Sequence, residues 1–315
     1  MKKVLILGAG MVAQPIVRYL LEKNFEVTVA SNTPDRALAM INGHSNGHSV
    51  EFDLTSQKEK LSELVSINDL TVSLLPYTFH VEVAKECLKH KKNMVTTSYV
   101  KPEMAALDAE CKEKGIIILN ELGLDPGIDH MSAMRIIDHI HGKGGKVEEF
   151  YSICGALPAP EAANNPFRYK FSWSPKGVVM AGNNDAFYKK HGDFVEIPTR
   201  DLFKNPFQVN FEGPGLLDVY PNRNSTDYID IYGIPEAQTV FRGTFRFPGW
   251  CETLDAIKAL NLISYDKIST KGMSYSDFTA ITAKVCTCGD VKHKVAFKLG
   301  ISVESHAIKD RKSVV

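Results

Sequence analysis

No stretch of this chain approaches the roughly 20 consecutive apolar residues that a membrane-crossing helix requires, so no membrane partner is expected. The chain also lacks any charge excess. Its 37 Lys and Arg residues are balanced by 37 Asp and Glu over 315 residues, for a formal net charge of zero. A basic nucleic-acid-binding surface or a polyanionic tail is therefore not expected, and any charge that matters must be local. Cysteine is sparse: Cys87, Cys111, Cys154, Cys251, Cys286 and Cys288, with no CxxC pair among them. Cys286 and Cys288 have neither the spacing nor the second pair that a zinc site uses. No metal site is expected, and reduced thiols in packed positions is the plain reading. The opening MKKVLILGAG looks superficially like a secretory leader. Its apolar run covers only Val4 to Leu7 before glycine intervenes, short of the roughly 7–15 residues of a leader core. The cytoplasm is the default location, and neither internal repeats nor low-complexity segments are found.

What the chain does contain is alternation. Short strand-like runs at Val4–Leu7, Glu26–Ala30, Val50–Asp53, Leu70–Leu75, Asn93–Thr97 and Ile116–Leu119 interleave with helical patterns at Met11–Lys23, Pro34–Ile41, Phe79–His90 and Pro102–Lys114. Strand alternating with helix implies a parallel sheet covered on both faces. The expected fold class is α/β, an N-terminal Rossmann doubly wound parallel sheet over residues 1–125. The character changes after that. A helix is expected at Asp129–His141 and a strand at Lys146–Cys154. Residues 155–250 are rich in Pro, Gly, Asn and aromatics, and another helix is expected at Cys251–Leu260. Residues 126–315 are taken as an α+β substrate domain whose tail, from Lys284, is short, basic and weakly patterned.

The turn after the first strand reads Gly8-Ala-Gly10-Met-Val-Ala13 and opens a helix. This GxGxxA sequence in a strand-turn-helix setting is a dinucleotide-binding signature. Gly8 allows the tight turn, Gly10 lets a pyrophosphate approach the backbone, and Ala13 lets helix and strand pack closely. The helix N-terminus adds N–H donors and the positive end of its dipole. NAD sites place an acid at the tip of the second strand, to bind the ribose 2′-OH. Here that tip reads Ser31-Asn32-Thr33, with Arg36 one turn into the next helix. Small donors and a cation suit a 2′-phosphate, so NADP(H) is favoured over NAD. Thr33 is expected to cap the helix that begins at Pro34. Ligands of open α/β sheets lie beyond the carboxyl ends of the strands. That rule brings Asp53-Leu54, Leu75-Pro76-Tyr77, Thr97-Ser98-Tyr99 and Leu124-Asp125-Pro126-Gly127 toward the chemistry. For Tyr77 and Tyr99, ordinary packing with a satisfied hydroxyl stays open as a competing reading.

In the second half, Asn165 to Pro175 gathers Arg168, Tyr169, Lys170, Phe171 and Trp173 without hydrophobic periodicity. Arg223 and Arg242 lie among rigid turn residues, and Arg246 follows closely. Several such cations could bind a substrate carrying several carboxylates, because arginine matches a carboxylate bidentately. At this point the chain resembles the glutamate-forming saccharopine dehydrogenases (saccharopine reductases). The segments that carry the resemblance are TTSYV (96–100), ELGLDPGIDH (121–130), CGALPAPEAANNPFRYKFSWSPKGV (154–178), YPNRNSTDY (220–228), IPEA (234–237), RGTFR (242–246) and PGWCETL (248–254).

The resemblance implies an NADP-dependent oxidoreductase of lysine metabolism. It would interconvert saccharopine with glutamate and 2-aminoadipate 6-semialdehyde by hydride transfer at a C–N bond. It implies NADP contacts at Gly8, Gly10, Met11, Val12, Ala13, Ser31, Asn32, Thr33, Asp53 and Leu54. Further contacts would come from Thr96, Thr97, Leu124, Asp125 and Ser174. Substrate contacts would fall at Ser98, Tyr99, Arg223, Arg242, Gly243 and Thr244, with Tyr99, Asp125 and Cys154 at the reaction centre. For Cys154, a buried small hydrophobe is the competing reading. Members of that family are longer, so the chain is C-terminally short relative to them. Three functions stay open: the saccharopine enzyme, a related imine reductase of the carboxynorspermidine type, and a non-catalytic NADP-binding protein. The expected partner is a small multi-carboxylate molecule, and a homodimer is left open.

Overall fold

Val4, Leu5, Ile6 and Leu7 are each at most 1% exposed, and they face two different cores in alternation. They form strand β1 (Lys3–Leu7), and successive side chains of a strand point to opposite faces. Leu5 and Leu7 pack with Leu61, Leu64 and Val65 of α3 (Lys58–Ile67) and Val83, Ala84 and Cys87 of α4 (His80–His90). Val4 and Ile6 pack with Val17, Leu20 and Leu21 of α1 (Ala13–Glu22) and Ala37 and Ile41 of α2 (Pro34–Ile41). A strand with four successive apolar positions, Val4 to Leu7, is what helices on both faces demand. Each such side chain taken out of water contributes about 1.5–3 kcal/mol.

The remaining strands of this sheet are β2 (Glu26–Ser31), β3 (Gly47–Glu51), β4 (Leu70–Ser73), β5 (Asn93–Thr96) and β6 (Ile118–Leu119). All pairs are parallel, in the order β3-β2-β1-β4-β5-β6. This is the doubly wound order with its switch point between β1 and β4, the place where such sheets bind dinucleotides. The structure, a computed structural model, describes residues 1–165, 167–304 and 308. Pro166 of the long proline- and aromatic-rich motif and residues 305–307 and 309–315 of the basic tail lie outside the described residues. The chain divides into two compact units after Arg135, inside helix α7 (Ile128–Gly142). Helices α5 (Pro102–Ala105) and α6 (Asp108–Lys114) precede it.

Several elements differ from the sequence expectation. β3 sits at Gly47–Glu51 rather than Val50–Asp53, because its ladder with β2 pairs Val27 with Gly47 and Ser31 with Glu51. Phe52 and Leu54 lie past the ladder and fill the core instead. Helix α3 was not anticipated, although Leu61, Leu64 and Val65 recur at helical spacing. The single helix expected over Pro102–Lys114 is two helices, α5 and α6. Thr33 occupies the cap position of α2, but its hydroxyl makes no cap bond. It turns back to Ser31 Oγ at 3.0 Å.

The second unit has a mixed sheet. Its strands are β7 (Glu149–Cys154), β8 (Ala186–Lys190), β9 (Asp193–Ile197), β10 (Phe207–Phe211), β11 (Gly215–Pro221) and β12 (Thr239–Arg246). The order is β10-β11-β12-β8-β9, and β7 adds to β12 as its parallel neighbour. Helices α8 (Pro175–Met180), α9 (Tyr228–Ile231) and α10 (Trp250–Ala259) punctuate it, which makes the unit α+β. α11 (Tyr275–Thr282) starts with a capping box of Ser274 and Asp277. The tail from Lys284 is more regular than expected: α12 (Val291–Leu299) is capped by Asp290. Both bury a face in a small core with Leu260. The turn between them joins Cys286 and Cys288 as a disulfide, against the expectation of six reduced thiols. Cys87, Cys111, Cys154 and Cys251 are free. Among the described residues no helix is long and apolar enough to cross a membrane.

Candidate active site

In the first unit, the glycine turn closes tightly over the end of β4. Gly8 has φ +105°, and a Cβ there would meet the Leu74 carbonyl oxygen at 3.1 Å. Its own N–H donates to Ala30 O at 2.8 Å, tying the turn to β2. Gly10 differs: a Cβ there would meet no protein atom within 4 Å. Open space over that backbone, beside an exposed Met11 and Val12 and a fully buried Ala13, is the cradle a diphosphate requires. At the β2 tip the Ser31 hydroxyl is drawn inward, accepting from the Thr33 N–H at 3.1 Å. Asn32, Thr33 and Arg36 are left exposed. No carboxylate stands at the strand tip, so these residues fit an NADP 2′-phosphate better than a free ribose hydroxyl. Asp53 accepts from the Thr55 N–H at 2.9 Å and hydroxyl at 2.7 Å. The Thr55 hydroxyl, then its amide, hold the Asp53 carboxyl below its usual range. Leu54 is 4% exposed, so its side chain belongs to the core and only its backbone is available to a cofactor.

Further along the same sheet edge, the segments after β5 and β6 are stitched together. Leu122 N–H donates to Thr96 O at 3.1 Å, and Glu121 N–H to Ser98 O at 3.2 Å. The Glu121 carboxylate accepts from the Val100 N–H at 2.9 Å, and its other oxygen lies 3.2 Å from His130 Nε2. These bonds bring two sequence-expected residues into contact: the Tyr99 hydroxyl donates to Asp125 Oδ1 at 2.6 Å. A phenol so close to a carboxylate is arranged to hold or pass a proton. The loop that carries Asp125 is closed by Gly123 N–H on Pro126 O at 2.9 Å. Gly127, at φ +146°, allows this closure, because a Cβ would stand 2.2 Å from Gly123 O. Thr97 and Leu124 are exposed at this edge, whereas Thr96 is buried.

Sequence reasoning missed Glu121, His130 and above all His80, the first residue of α4. His80 is 3% exposed. Its Nδ1 shares a hydrogen bond with Ser73 Oγ at 2.9 Å, and its Nε2 with Ser98 Oγ at 2.8 Å and Thr96 Oγ1 at 3.1 Å. Burial depresses its pKa to about 4, so the ring is neutral at neutral pH.

In the second unit, β7 and β12 run side by side, and the register sets Ser152 opposite Arg242, Ile153 opposite Gly243 and Cys154 opposite Thr244. Four sequence-expected residues thus share one pair of strands. Arg242 is 4% exposed. Its Nη1 donates to the Tyr228 hydroxyl at 2.7 Å, and its guanidinium lies 4.4 Å from the centre of that ring. Arg223, at φ +53°, is exposed in the turn after β11. A Cβ at Gly243 would stand 2.5 Å from the Phe241 ring, so packing accounts for that glycine. Ser174 caps α8 by accepting from the Gly177 N–H at 3.1 Å.

The aromatic residues gathered between Asn165 and Pro175 differ in exposure. Phe171 and Trp173 are both 41% exposed, but Tyr169 is 3% exposed and packs 4.9 Å from the Trp250 ring. Arg246, also buried, sits 4.8 Å from the Tyr169 ring centre and 5.0 Å from that of Trp250. Its Nη1 donates to Gly155 O at 2.8 Å and Phe245 O at 2.7 Å. Arg246 therefore serves the fold, by pinning the turn that follows Cys154. Replacement by methionine is expected to lower stability by about 2–4 kcal/mol, the loss of charged hydrogen bonds to two carbonyls and of the aromatic stack. Urea unfolding would measure it, and a change below about 0.5 kcal/mol, the range of ordinary surface substitutions, would refute it.

Comparison with known proteins follows the same two-part division. Residues 4–119 match the family model described as the saccharopine dehydrogenase NADP binding domain, and residues 123–303 match the saccharopine dehydrogenase C-terminal domain. The chain is 45% identical over 259 residues to saccharopine dehydrogenase [NADP(+), L-glutamate-forming] of Schizosaccharomyces pombe, covering 82% of this chain and 57% of that one. To the Saccharomyces cerevisiae protein of the same name it is 41% identical over 280 residues, covering 88% and 62%. To the bovine mitochondrial alpha-aminoadipic semialdehyde synthase it is 44% identical over 267 residues, covering 84% of this chain and 29% of that one. The apo structure of saccharopine dehydrogenase (L-Glu forming) from S. cerevisiae superposes with a TM-score of 0.81 at 35% identity, covering 99% of this chain and 70% of that one. The chain thus spans less than two thirds of the length of these curated relatives.

Proposed function

This chain belongs to the saccharopine dehydrogenase family, and on that premise we propose that it binds NADP(H) and interconverts saccharopine with glutamate and 2-aminoadipate 6-semialdehyde. One observation carries the reading: a Tyr99–Asp125 hydrogen bond of 2.6 Å, at the carboxyl edge of a parallel sheet whose first strand ends in the Gly8–Gly10 turn. Gly10 and the first turn of α1 would hold the NADP diphosphate, and Asn32, Thr33 and Arg36 its 2′-phosphate; the cofactor would supply the hydride acceptor for the carbon beside the substrate amine. Before hydride leaves, the secondary amine must give up a proton. The Tyr99 hydroxyl, backed by Asp125, takes part in that transfer and in orienting the water that attacks the resulting imine. Within the second unit, likeness to the family makes Cys154 and Thr244, adjacent across β7 and β12, the candidates for substrate contact, and Arg223 the candidate for binding a substrate carboxylate.

A charged hydrogen bond lost to a carboxylate corresponds to about 1.5–3 kcal/mol, so Arg223→Ala is expected to raise KM for saccharopine roughly 10- to 100-fold. The dissociation constant for NADPH should stay as in the parent protein. An unchanged KM would remove Arg223 from the substrate site.

The function itself is tested by absorbance at 340 nm with saccharopine and either NADP or NAD. Growth of the signal with NADP, and much less with NAD, is the expected outcome. Turnover of a carboxynorspermidine-type amine but not of saccharopine would move the substrate assignment. Tight NADPH binding with no turnover of either would replace the enzyme by a binding protein.

A further inference from the structure

We propose that His80 is a positioning residue for this reaction: its ring bridges Ser73 and Thr96, at the ends of β4 and β5, to Ser98, and so fixes the turn that carries Tyr99 to Asp125. The inference rests on the proposed dehydrogenase reading for the role of Tyr99 and Asp125. The bridge itself does not.

Three observations support it. First, the bridge is complete. Nδ1 meets Ser73 Oγ at 2.9 Å, and Nε2 meets Ser98 Oγ at 2.8 Å and Thr96 Oγ1 at 3.1 Å. A neutral imidazole has one donor and one acceptor nitrogen, and hydroxyls accommodate either. Second, the bridge runs outward. Ser73 and Thr96 are at most 1% exposed and are paired to each other in the sheet, so they are the rigid end. Ser98 is half-buried and precedes Tyr99. Its carbonyl accepts from the Glu121 N–H at 3.2 Å, on the segment that leads to Asp125. Ser98 is therefore held from both sides, by His80 at its side chain and by Glu121 at its backbone. Third, an apolar side chain would fill this buried place without the desolvation cost of an imidazole. A histidine whose polar atoms are spent on three hydroxyls sets direction as well as volume. At 3% exposure it acts through Ser98 and not on substrate.

Two amide substitutions separate the ends of the bridge. Asparagine places its amide near the position of Nδ1 and keeps the Ser73 contact. Glutamine reaches the position of Nε2 and keeps the contacts to Ser98 and Thr96. In the 340 nm assay, His80→Asn is expected to lower kcat roughly 10- to 100-fold, the scale on which misplacement of a reacting group acts. His80→Gln should stay within about 3-fold of the parent, since it retains the hydrogen bonds that matter. NADPH affinity should be unchanged in both. A second readout does not depend on turnover: amide hydrogen exchange at residues 97–100 and 121–122 should accelerate in His80→Asn and not in His80→Gln. Equal behaviour of the two variants in both measurements, or loss of the fold in both, would make His80 a core residue only and overturn the proposal. If the parent protein turns over no saccharopine, the function fails, and the exchange comparison alone decides for or against the bridge.

Discussion

Tyr99→Phe is expected to lower kcat by roughly 10²- to 10⁴-fold, the usual weight of a positioned general acid or base, while NADPH binds as before. The substitution deletes one oxygen, the donor to Asp125 Oδ1 at 2.6 Å. Tyr99 is half-buried, and the ring stays to fill its place, so the fold loses little. Asp125→Asn should have an effect of the same order, because the amide keeps the shape and loses the charge that backs the phenol. If the two residues act as a unit, the double variant should be scarcely worse than the worse single one. Groups that share one step are strongly non-additive. Steady-state kinetics on the four proteins, with NADPH titrated by its fluorescence, checks this. Additive losses, or a kcat for Tyr99→Phe within a few-fold of the parent, would take the pair out of the chemistry. A rise in KM alone would reassign Tyr99 to substrate binding.

How far the sequence could be read depended on whether the relevant contacts were local. The Rossmann turn was legible because its requirements sit within six residues: the positive φ of Gly8, the open face of Gly10 and the buried Ala13. Strand β1 was legible because double-sided burial makes it uniformly apolar. Tyr99 and Asp125 were named separately from their segments, but their bond needed the folded edge to bring together positions 26 apart. His80 gave no signal. It lies at the start of a helix, and the three hydroxyls it serves come from the ends of two neighbouring strands. Arg242 and Arg246 both read as cations able to bind carboxylates, because arginine matches a carboxylate bidentately. That both are buried, Arg242 against Tyr228 and Arg246 against Tyr169 and Trp250, depends on partners that local patterning does not reveal. Helix α3 is a different failure. Leu61, Leu64 and Val65 were visible at helical spacing, but Gln57 supplies no side-chain cap to mark the start.

The two glycines of the nucleotide turn are expected to fail in opposite ways. Gly10→Val should leave stability near that of the parent, since the added carbons grow into space where no protein atom lies within 4 Å of the Cβ, and the backbone there is not at positive φ. The same carbons occupy the place of the diphosphate and break its hydrogen bonds to the backbone. A loss of about 3 kcal/mol, or roughly 10²-fold in the dissociation constant for NADPH, is expected. Gly8→Val is the converse. At φ +105° with the Leu74 carbonyl oxygen 3.1 Å from its Cβ, a β-branched residue is strained whether or not cofactor is present. The melting temperature of the apo protein should therefore fall in Gly8→Val and hold in Gly10→Val. NADPH should raise it in the parent and by much less in Gly10→Val, because a ligand stabilises by RT ln(1 + [L]/Kd), which falls as binding weakens. Thermal unfolding of the three proteins with and without NADPH reads both effects in one experiment. If NADPH shifts Gly10→Val as much as the parent, the cofactor does not lie over this turn, and the assignment of the first unit as a nucleotide site loses its physical basis.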